Sequence, residues 1–192
     1  GRWKVVYNAV NFDEFQLTEQ LPGDSPLIFL GRIERIKGCH TAINVAKATG
    51  NKLIIAGNIS RLREEREYFE NEIKPLVDGC QIIYVGEVND EQKNDWLGKS
   101  KAMLMPIEWN EPFGIVMIEA MACGTPVIGY KKGSIPEVVE ENKTGFVVMN
   151  ENEMIAAVKK INVINRTGCR ETAKAKFNSD VVAHEYLNIF SN

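Results

Sequence analysis

The sequence predicts an α/β fold, a parallel sheet flanked by helices within one domain. Three observations predict it. Short apolar runs alternate with amphipathic or charged runs along the chain, the order that builds strand–helix–strand units. The apolar runs lack the every-second-residue polar pattern of half-exposed strands, so both faces of each strand are expected to be covered. Four of the runs stop at Gly31, Gly57, Gly86 and Pro106, residue types that take a chain out of a sheet.

The elements follow in order. Residues 4–7 read as a strand entering the turn Asn8-Ala9-Val10-Asn11, and residues 18–25, with Pro22-Gly23-Asp24, as a loop. Leu27-Ile28-Phe29-Leu30 is a short buried strand. From Gly38 onward Ala42, Val45, Ala46 and Thr49 recur at helical spacing, and Gly50-Asn51 supplies a stop. Residues 52–56 form a strand, and residues 61–73 a charged helix stopped by Pro75. Residues 81–85 are a strand, and residues 90–97 a helix with Asp90 as its cap. Residues 102–105 are a strand. An apolar helix runs from 114 to 123 and ends at Gly124-Thr125-Pro126. Residues 127–129 and 145–148 are the last strands. Helices are expected over 151–161, 172–177 and 180–190. The chain divides into an entry segment (1–26), the α/β domain (27–165) and a C-terminal helical segment (166–192).

Bulk composition narrows the function. The 192 residues carry a net charge of −3 and a sequence pI near 5.6, so there is no basic footprint for nucleic acid. Arg61, Arg63 and Arg66 are offset by Glu64, Glu65 and Glu67, which reads as a solvated helix face. No transmembrane stretch and no N-terminal signal pattern occur. Cys39, Cys80, Cys123 and Cys169 show neither pairing nor metal-ligand spacing, as expected of reduced thiols in a cytoplasmic protein. The first residue is Gly1 rather than Met, which is compatible with a fragment from which a targeting segment or a preceding domain has been removed.

Parallel sheets of this kind bind ligands at the carboxyl ends of their strands. The loop after Leu30 is Gly31-Arg32-Ile33-Glu34-Arg35-Ile36-Lys37-Gly38. It opens a helix, whose first N–H groups and positive dipole end suit a phosphate. Gly31 allows close backbone approach, and Arg32 and Lys37 add cations. The loop is neither a dinucleotide fingerprint nor a P-loop. A solvated basic surface loop is the simpler alternative.

The second element is Glu111-Pro112-Phe113-Gly114-Ile115-Val116-Met117-Ile118-Glu119. Glu119 stands among apolar residues and needs a partner, since an unpaired buried carboxylate is costly. A ribose diol provides two hydroxyl donors; a structural Arg or Lys is the alternative. Glu111, held outside regular helix by its neighbours, can accept from sugar hydroxyls or remain a solvated loop residue. The N–H groups of Phe113, Gly114 and Ile115 point towards a diphosphate or a sugar. His40 and His184 read as capping or surface residues. A paired-carboxylate hydrolase fits poorly, because the cationic loop suits an anionic substrate better than a neutral glycan.

These residues together resemble retaining glycosyltransferase family 4. The matching stretches are Gly31-Arg32…Lys37-Gly38, the strand ending at Gly86, Glu111-Pro112-Phe113-Gly114…Glu119-Ala120-Met121-Ala122-Cys123-Gly124-Thr125-Pro126-Val127, Gly133-Ser134-Ile135-Pro136-Glu137-Val138-Val139 and Thr144-Gly145-Phe146-Val147. Residues 107–119 look closest to the subgroup that includes a tetrahydrobiopterin glucosyltransferase. The resemblance implies a Rossmann-like domain, the C-terminal donor-binding half of the two-domain GT-B architecture. It implies that Arg32 and Lys37 bind the diphosphate of a nucleotide-diphosphate sugar, UDP-glucose being the best candidate. It implies that Glu111 holds sugar hydroxyls, Glu119 the ribose, and Glu87-Val88 the base. It also implies transfer with retention, an acceptor pocket on an N-terminal domain of the same polypeptide, and little activity from this half alone. No cofactor is expected, and no metal, since no Asp-x-Asp occurs. A non-catalytic nucleotide-sugar-binding module is the alternative function.

Overall fold

The computed structural model describes residues 3–190. Six parallel strands form one sheet: β1 (Leu27–Leu30), β2 (Leu53–Ala56), β3 (Ile82–Gly86), β4 (Ala102–Met105), β5 (Val127–Tyr130) and β6 (Gly145–Val148), in the order β3-β2-β1-β4-β5-β6. This is the Rossmann-like α/β sheet that the sequence predicts. The direction of growth reverses at β1. Right-handed crossovers therefore put the helices on opposite faces of the two halves.

The helices are α1 (Cys39–Thr49), α2 (Arg63–Tyr68), α3 (Asp90–Lys99), α4 (Ile115–Ala122), α5 (Ile135–Val138), α6 (Glu151–Lys160), α7 (Arg166–Phe177) and α8 (Ser179–Phe190). α1 packs against α6, and α4 against α3 and α7. The strands between them are largely buried, except β3, where only Ile82 is fully inside. Phe12, Phe146 and Phe177 are among the largest side chains fully inside.

Several local expectations are corrected. Residues 4–7 make no strand; only Val10 bridges the chain, to Asn178, with its N–H on the Phe177 carbonyl at 3.1 Å. Tyr7 instead lays its ring against Phe177 and Phe113, at centroid distances of 5.6 and 6.0 Å. The apolar residues here serve ring packing on the C-terminal helix rather than a sheet edge. The cap of α3 is Asn89, not Asp90: Asn89 Oδ1 accepts from the Gln92 N–H at 2.9 Å, and Gln92 returns a bond to the Asn89 N–H. That reciprocal pair satisfies two helix-end donors, which Asp90 alone cannot do.

Pro75 does not stop the helix before it. α2 passes into a wider turn over Phe69–Ile73, and Pro75 sits in a 3-10 turn over Lys74–Leu76, where its missing N–H costs nothing. α7 begins at Arg166, six residues before the expected start at 172, because Asn165 caps it through the Gly168 N–H at 2.7 Å. Gly168 within the first turn conceals that start in the sequence.

Arg166 fastens the start of α7 to the carboxyl ends of α3 and α4 and to the entry segment. Its buried guanidinium donates to the carbonyls of Thr18 (2.5 Å), Ser100 (2.9 Å), Gly98 (2.9 Å) and Cys123 (3.3 Å), and to the Thr125 hydroxyl (2.7 Å). Burial pulls its pKa down to about 10, still far enough above neutrality to keep the donors charged. Arg170 adds bonds to the carbonyls of Phe12, Phe15 and Ala122. Replacing Arg166 with Met removes five donor contacts; the Cys123 and Ser100 carbonyls keep longer bonds from the Thr18 N–H (3.3 Å) and the Thr125 hydroxyl (3.4 Å), while those of Gly98 and Thr18 lose the arginine donor. Each such group costs about 1–3 kcal/mol, so Arg166→Met is expected to lower stability by about 3 kcal/mol or more. Urea unfolding measures it; a loss under about 1 kcal/mol would mean the carbonyls find other partners.

Candidate functional site

β1 and β4 are neighbours from different halves of the sheet. They pair at Leu27–Ala102 and Ile28–Met103 only, whereas β1 pairs with β2 along all four residues. Beyond those two pairs Phe29, Leu30, Leu104 and Met105 line a cavity of about 430 Å³. Its rim carries Asn8, Gly31, Arg32, Lys37, Ile107, Glu111, Pro112, Phe113, Gly114, Ile115 and Val116. The cavity thus opens at the switch point of strand order, where ligands of such sheets bind.

Two loops are locked around it. After β1, the N–H groups of Gly31 and Ile33 extend the pairing with β2, bonding to the carbonyls of Ala56 (3.0 Å) and Asn58 (2.9 Å). Gly38 then starts α1 in the left-handed region at φ 75°, and a Cβ there would lie 2.2 Å from the Pro106 carbonyl oxygen. Only glycine lets the start of α1 close against the end of β4. The Glu108 N–H bonds to the Ile36 carbonyl at 2.8 Å, joining the two loops directly. On the other side Gly133, at φ 53°, packs against the backbone of Glu111 so closely that a Cβ would approach Glu111 N within 2.4 Å. Ser134 donates its N–H to the Glu111 carbonyl (2.9 Å) and its hydroxyl to the Phe113 carbonyl (2.7 Å).

The charged side chains are brought together within this frame. Lys37 Nζ lies 2.6 Å from Glu111 Oε2, with both side chains mostly buried at 15% and 13% exposure. The Trp109 indole N–H donates to the same oxygen at 3.1 Å, and Lys37 Nζ stands 4.9 Å from the centre of the Trp109 ring. Arg32 is 60% exposed and pairs with the buried carboxylate of Glu34 at 3.0 Å. Gly114 begins α4 in the left-handed region with no side-chain cap. The start of α4, with Phe113, Gly114 and Ile115, thus lines the cavity without a side-chain cap.

The expectation that Arg32, Lys37, Glu111 and Glu119 share one hollow is corrected: three of them do. Glu119 sits one turn into α4 on the side towards α3, and it lines a second hollow of about 220 Å³ with Asp90, Lys93 and Asn94. Its Oε1 is 2.8 Å from Lys93 Nζ, which also reaches Asp90 at 3.1 Å. The Lys partner considered from the sequence is thus present. Burial pulls the Lys93 pKa down, but the bonds to Glu119 and Asp90 outweigh it and leave it raised. Glu87 is exposed and Val88 half-buried between β3 and α3, and neither lines the central cavity.

The sequence reading missed Trp109, Glu34 and Lys93. Trp109 and Glu34 each stand two residues from a residue singled out, a spacing that was the available signal. Lys93 gave none, since its distance in sequence from Glu119 is spanned only by the fold. His40 lies at the start of α1, its Nδ1 2.8 Å from the Tyr68 hydroxyl, which also accepts the His40 N–H at 3.2 Å. Among the described residues no group of three or more His, Cys, Asp or Glu side chains is placed to hold a metal ion. Nor is any described helix long and apolar enough to cross a membrane.

With this geometry in view, known proteins are informative. The family model for glycosyl transferases group 1 matches residues 13–176. The phosphatidyl-myo-inositol mannosyltransferase of Propionibacterium freudenreichii is 38% identical over 72% of this chain and 35% of its own length. Sucrose-phosphate synthase from Thermosynechococcus elongatus superposes with a TM-score of 0.82 at 26% identity, covering 98% of this chain and 52% of that one. Anabaena HepE, solved in complex with UDP-glucose, superposes with a TM-score of 0.81 at 19% identity, covering 98% and 57%. The chain spans about half the length of the curated relatives that it matches nearly end to end. Its Rossmann-like sheet is that of the GT-B glycosyltransferases, and the chain belongs to the group 1 glycosyl transferases.

Proposed function

We propose that the chain is the donor-binding part of a hexosyltransferase, taking the sugar from a nucleotide-diphosphate sugar and transferring it with retention. The observation that carries this reading is the Lys37–Glu111 pair inside the cavity at the β1–β4 switch point. A single donor molecule matches both members. Its diphosphate competes with Glu111 for the Lys37 ammonium, and its sugar hydroxyls donate to the carboxylate so released. Arg32 and the uncapped start of α4 add positive potential at the same place.

In this reading Phe113, Gly114 and Ile115 offer backbone donors beside the sugar. Glu119 takes the ribose in the neighbouring hollow, exchanging its bond to Lys93 for two hydroxyls, and Glu87-Val88 frames the base beside α3. UDP-glucose is the donor best supported, by the resemblance of residues 107–119 and by the fold shared with HepE, which binds it. The acceptor belongs to an N-terminal domain of the same polypeptide, and this part alone binds donor without transferring efficiently.

The chemistry follows from where charge develops. As the anomeric bond to the diphosphate breaks, negative charge grows on the leaving oxygens and positive charge on the sugar ring. Arg32, Lys37 and the α4 dipole stabilise the first at fixed positions, and Glu111 faces the second. These cations do the work that a divalent metal does at other phosphate sites, and we propose transfer without one.

Two measurements test this. Calorimetry of the chain against UDP, GDP and ADP, then their glucose conjugates, is expected to find one nucleoside diphosphate preferred. Lys37→Ala is expected to weaken that binding about 10- to 100-fold, the range for loss of a charge-assisted contact. Indifference to all three nucleotides would remove the donor site. In the two-domain enzyme, Arg32→Ala is expected to lower kcat about tenfold or more; unchanged turnover would exclude Arg32 from leaving-group stabilisation.

A further inference from the structure

Trp109 touches both ends of the polar pair on which the donor-site reading rests. Its indole N–H donates to Glu111 Oε2 at 3.1 Å, the oxygen that also meets Lys37 Nζ at 2.6 Å. Its ring lies under the ammonium of Lys37 at 4.9 Å. Both donors converge on Oε2, so among the described residues Oε1 of Glu111 is reached by neither. The side chain is 38% exposed and belongs to no part of the hydrophobic core. A large indole half in water, with its one polar atom and its ring face both engaged at the site, is arranged for the site rather than for packing.

We propose that Trp109 is a positioning residue that couples the phosphate cation to the sugar carboxylate. An ion pair alone cannot perform this task. When a diphosphate draws Lys37 away, a Glu111 held only by that lysine loses its anchor and swings towards water. The indole N–H keeps Oε2 fixed through the exchange, with Oε1 turned to the sugar hydroxyl. The ring face meanwhile holds the ammonium near the diphosphate position, since a cation over an indole is attracted from either side of its path. The indole thus divides into two functions, an N–H that orients the sugar acceptor group and a ring that positions the phosphate cation.

The two functions separate by substitution. Trp109→Phe keeps a ring under Lys37 and removes the N–H. Trp109→Gln keeps an N–H donor and removes the ring. Calorimetry of the 192-residue chain with UDP and with UDP-glucose reads each. The Phe variant is expected to bind UDP within about twofold of the wild type and UDP-glucose about tenfold more weakly, as loss of a hydrogen bond to a charged group implies. The Gln variant is expected to bind both ligands about threefold more weakly, the scale of an exposed cation–π contact, with their ratio preserved. Thermal unfolding within 2–4 °C of the wild type, about the shift per kcal/mol for a domain of this size, accompanies both. Wild-type affinities in both variants overturn the role of Trp109 and leave the donor site standing. Equal losses for both ligands in both variants reduce Trp109 to packing and overturn it too. A wild-type chain that binds neither ligand overturns the donor site itself, and the role of Trp109 with it.

Discussion

Everything in the site depends on the parting of β1 and β4. The two strands hydrogen-bond at their first two residues and then separate. The helices that follow them leave for opposite faces, so no helix start fills the gap. A sheet that grew in one direction would have every loop stacked over its neighbour and no crevice. Here Phe29 and Leu30 keep their pairing with β2, and Leu104 and Met105 theirs with β5, but across the β1–β4 gap they no longer pair and become an apolar floor. The loops after them converge from two sides, and Gly38 and Gly133 let backbone meet backbone at distances no side chain allows.

The charged groups at the two hollows are paired locally. Lys37 meets Glu111, Arg32 meets Glu34, and Lys93 meets Glu119. Partly buried charges are costly without counter-charges, so folding without ligand requires this arrangement. In the proposed donor-binding reading, an anionic ligand would exchange partners instead of adding them. A free phosphate would offer something to Lys37 and Arg32 and nothing to Glu111, which it would strip of its cation. A phosphate ester of a polyhydroxyl compound would satisfy both sides. The pairing would then discriminate by the second half of the ligand.

Much of this was legible in the residues, for reasons that also explain what was not. Strands such as 27–30 and 102–105 are marked at both ends, by apolar runs and by the Gly or Pro that stops them. Their bounds survive because no alternative structure suits a doubly buried run. The loop from Gly31 to Gly38 was legible because a strand end and a helix start enclose it. The misjudged elements lacked such dual marking. Residues 4–7 have strand composition, but they pair with no strand, and the aromatic ring of Tyr7 packs against Phe113 and Phe177 instead. Glu119 was rightly suspected of needing a partner. Which hollow it faces depends on the rotation of α4 against α3, a tertiary fact. Trp109 was passed over because an aromatic residue beside an acidic one carries no chemistry until both are seen around one lysine.

The rotation and height of α4 are fixed from both of its ends. At its carboxyl end Arg170 donates to the Ala122 carbonyl and Arg166 to that of Cys123. Cations there satisfy the last carbonyls and complement the negative end of the helix dipole. At its amino end Gly114 leaves the first N–H groups uncapped, while Ser134 ties down the carbonyls of Glu111 and Phe113 just before them. The helix is therefore matched at the end away from the cavity and unmatched at the end facing it. Of its eight residues only Glu119 is charged, and Glu119 is paired with Lys93. The same two arginines reach back to Phe12, Phe15 and Thr18. The entry segment and α7 consequently act on the cavity at a distance, by holding in place the helix whose uncapped start lines it.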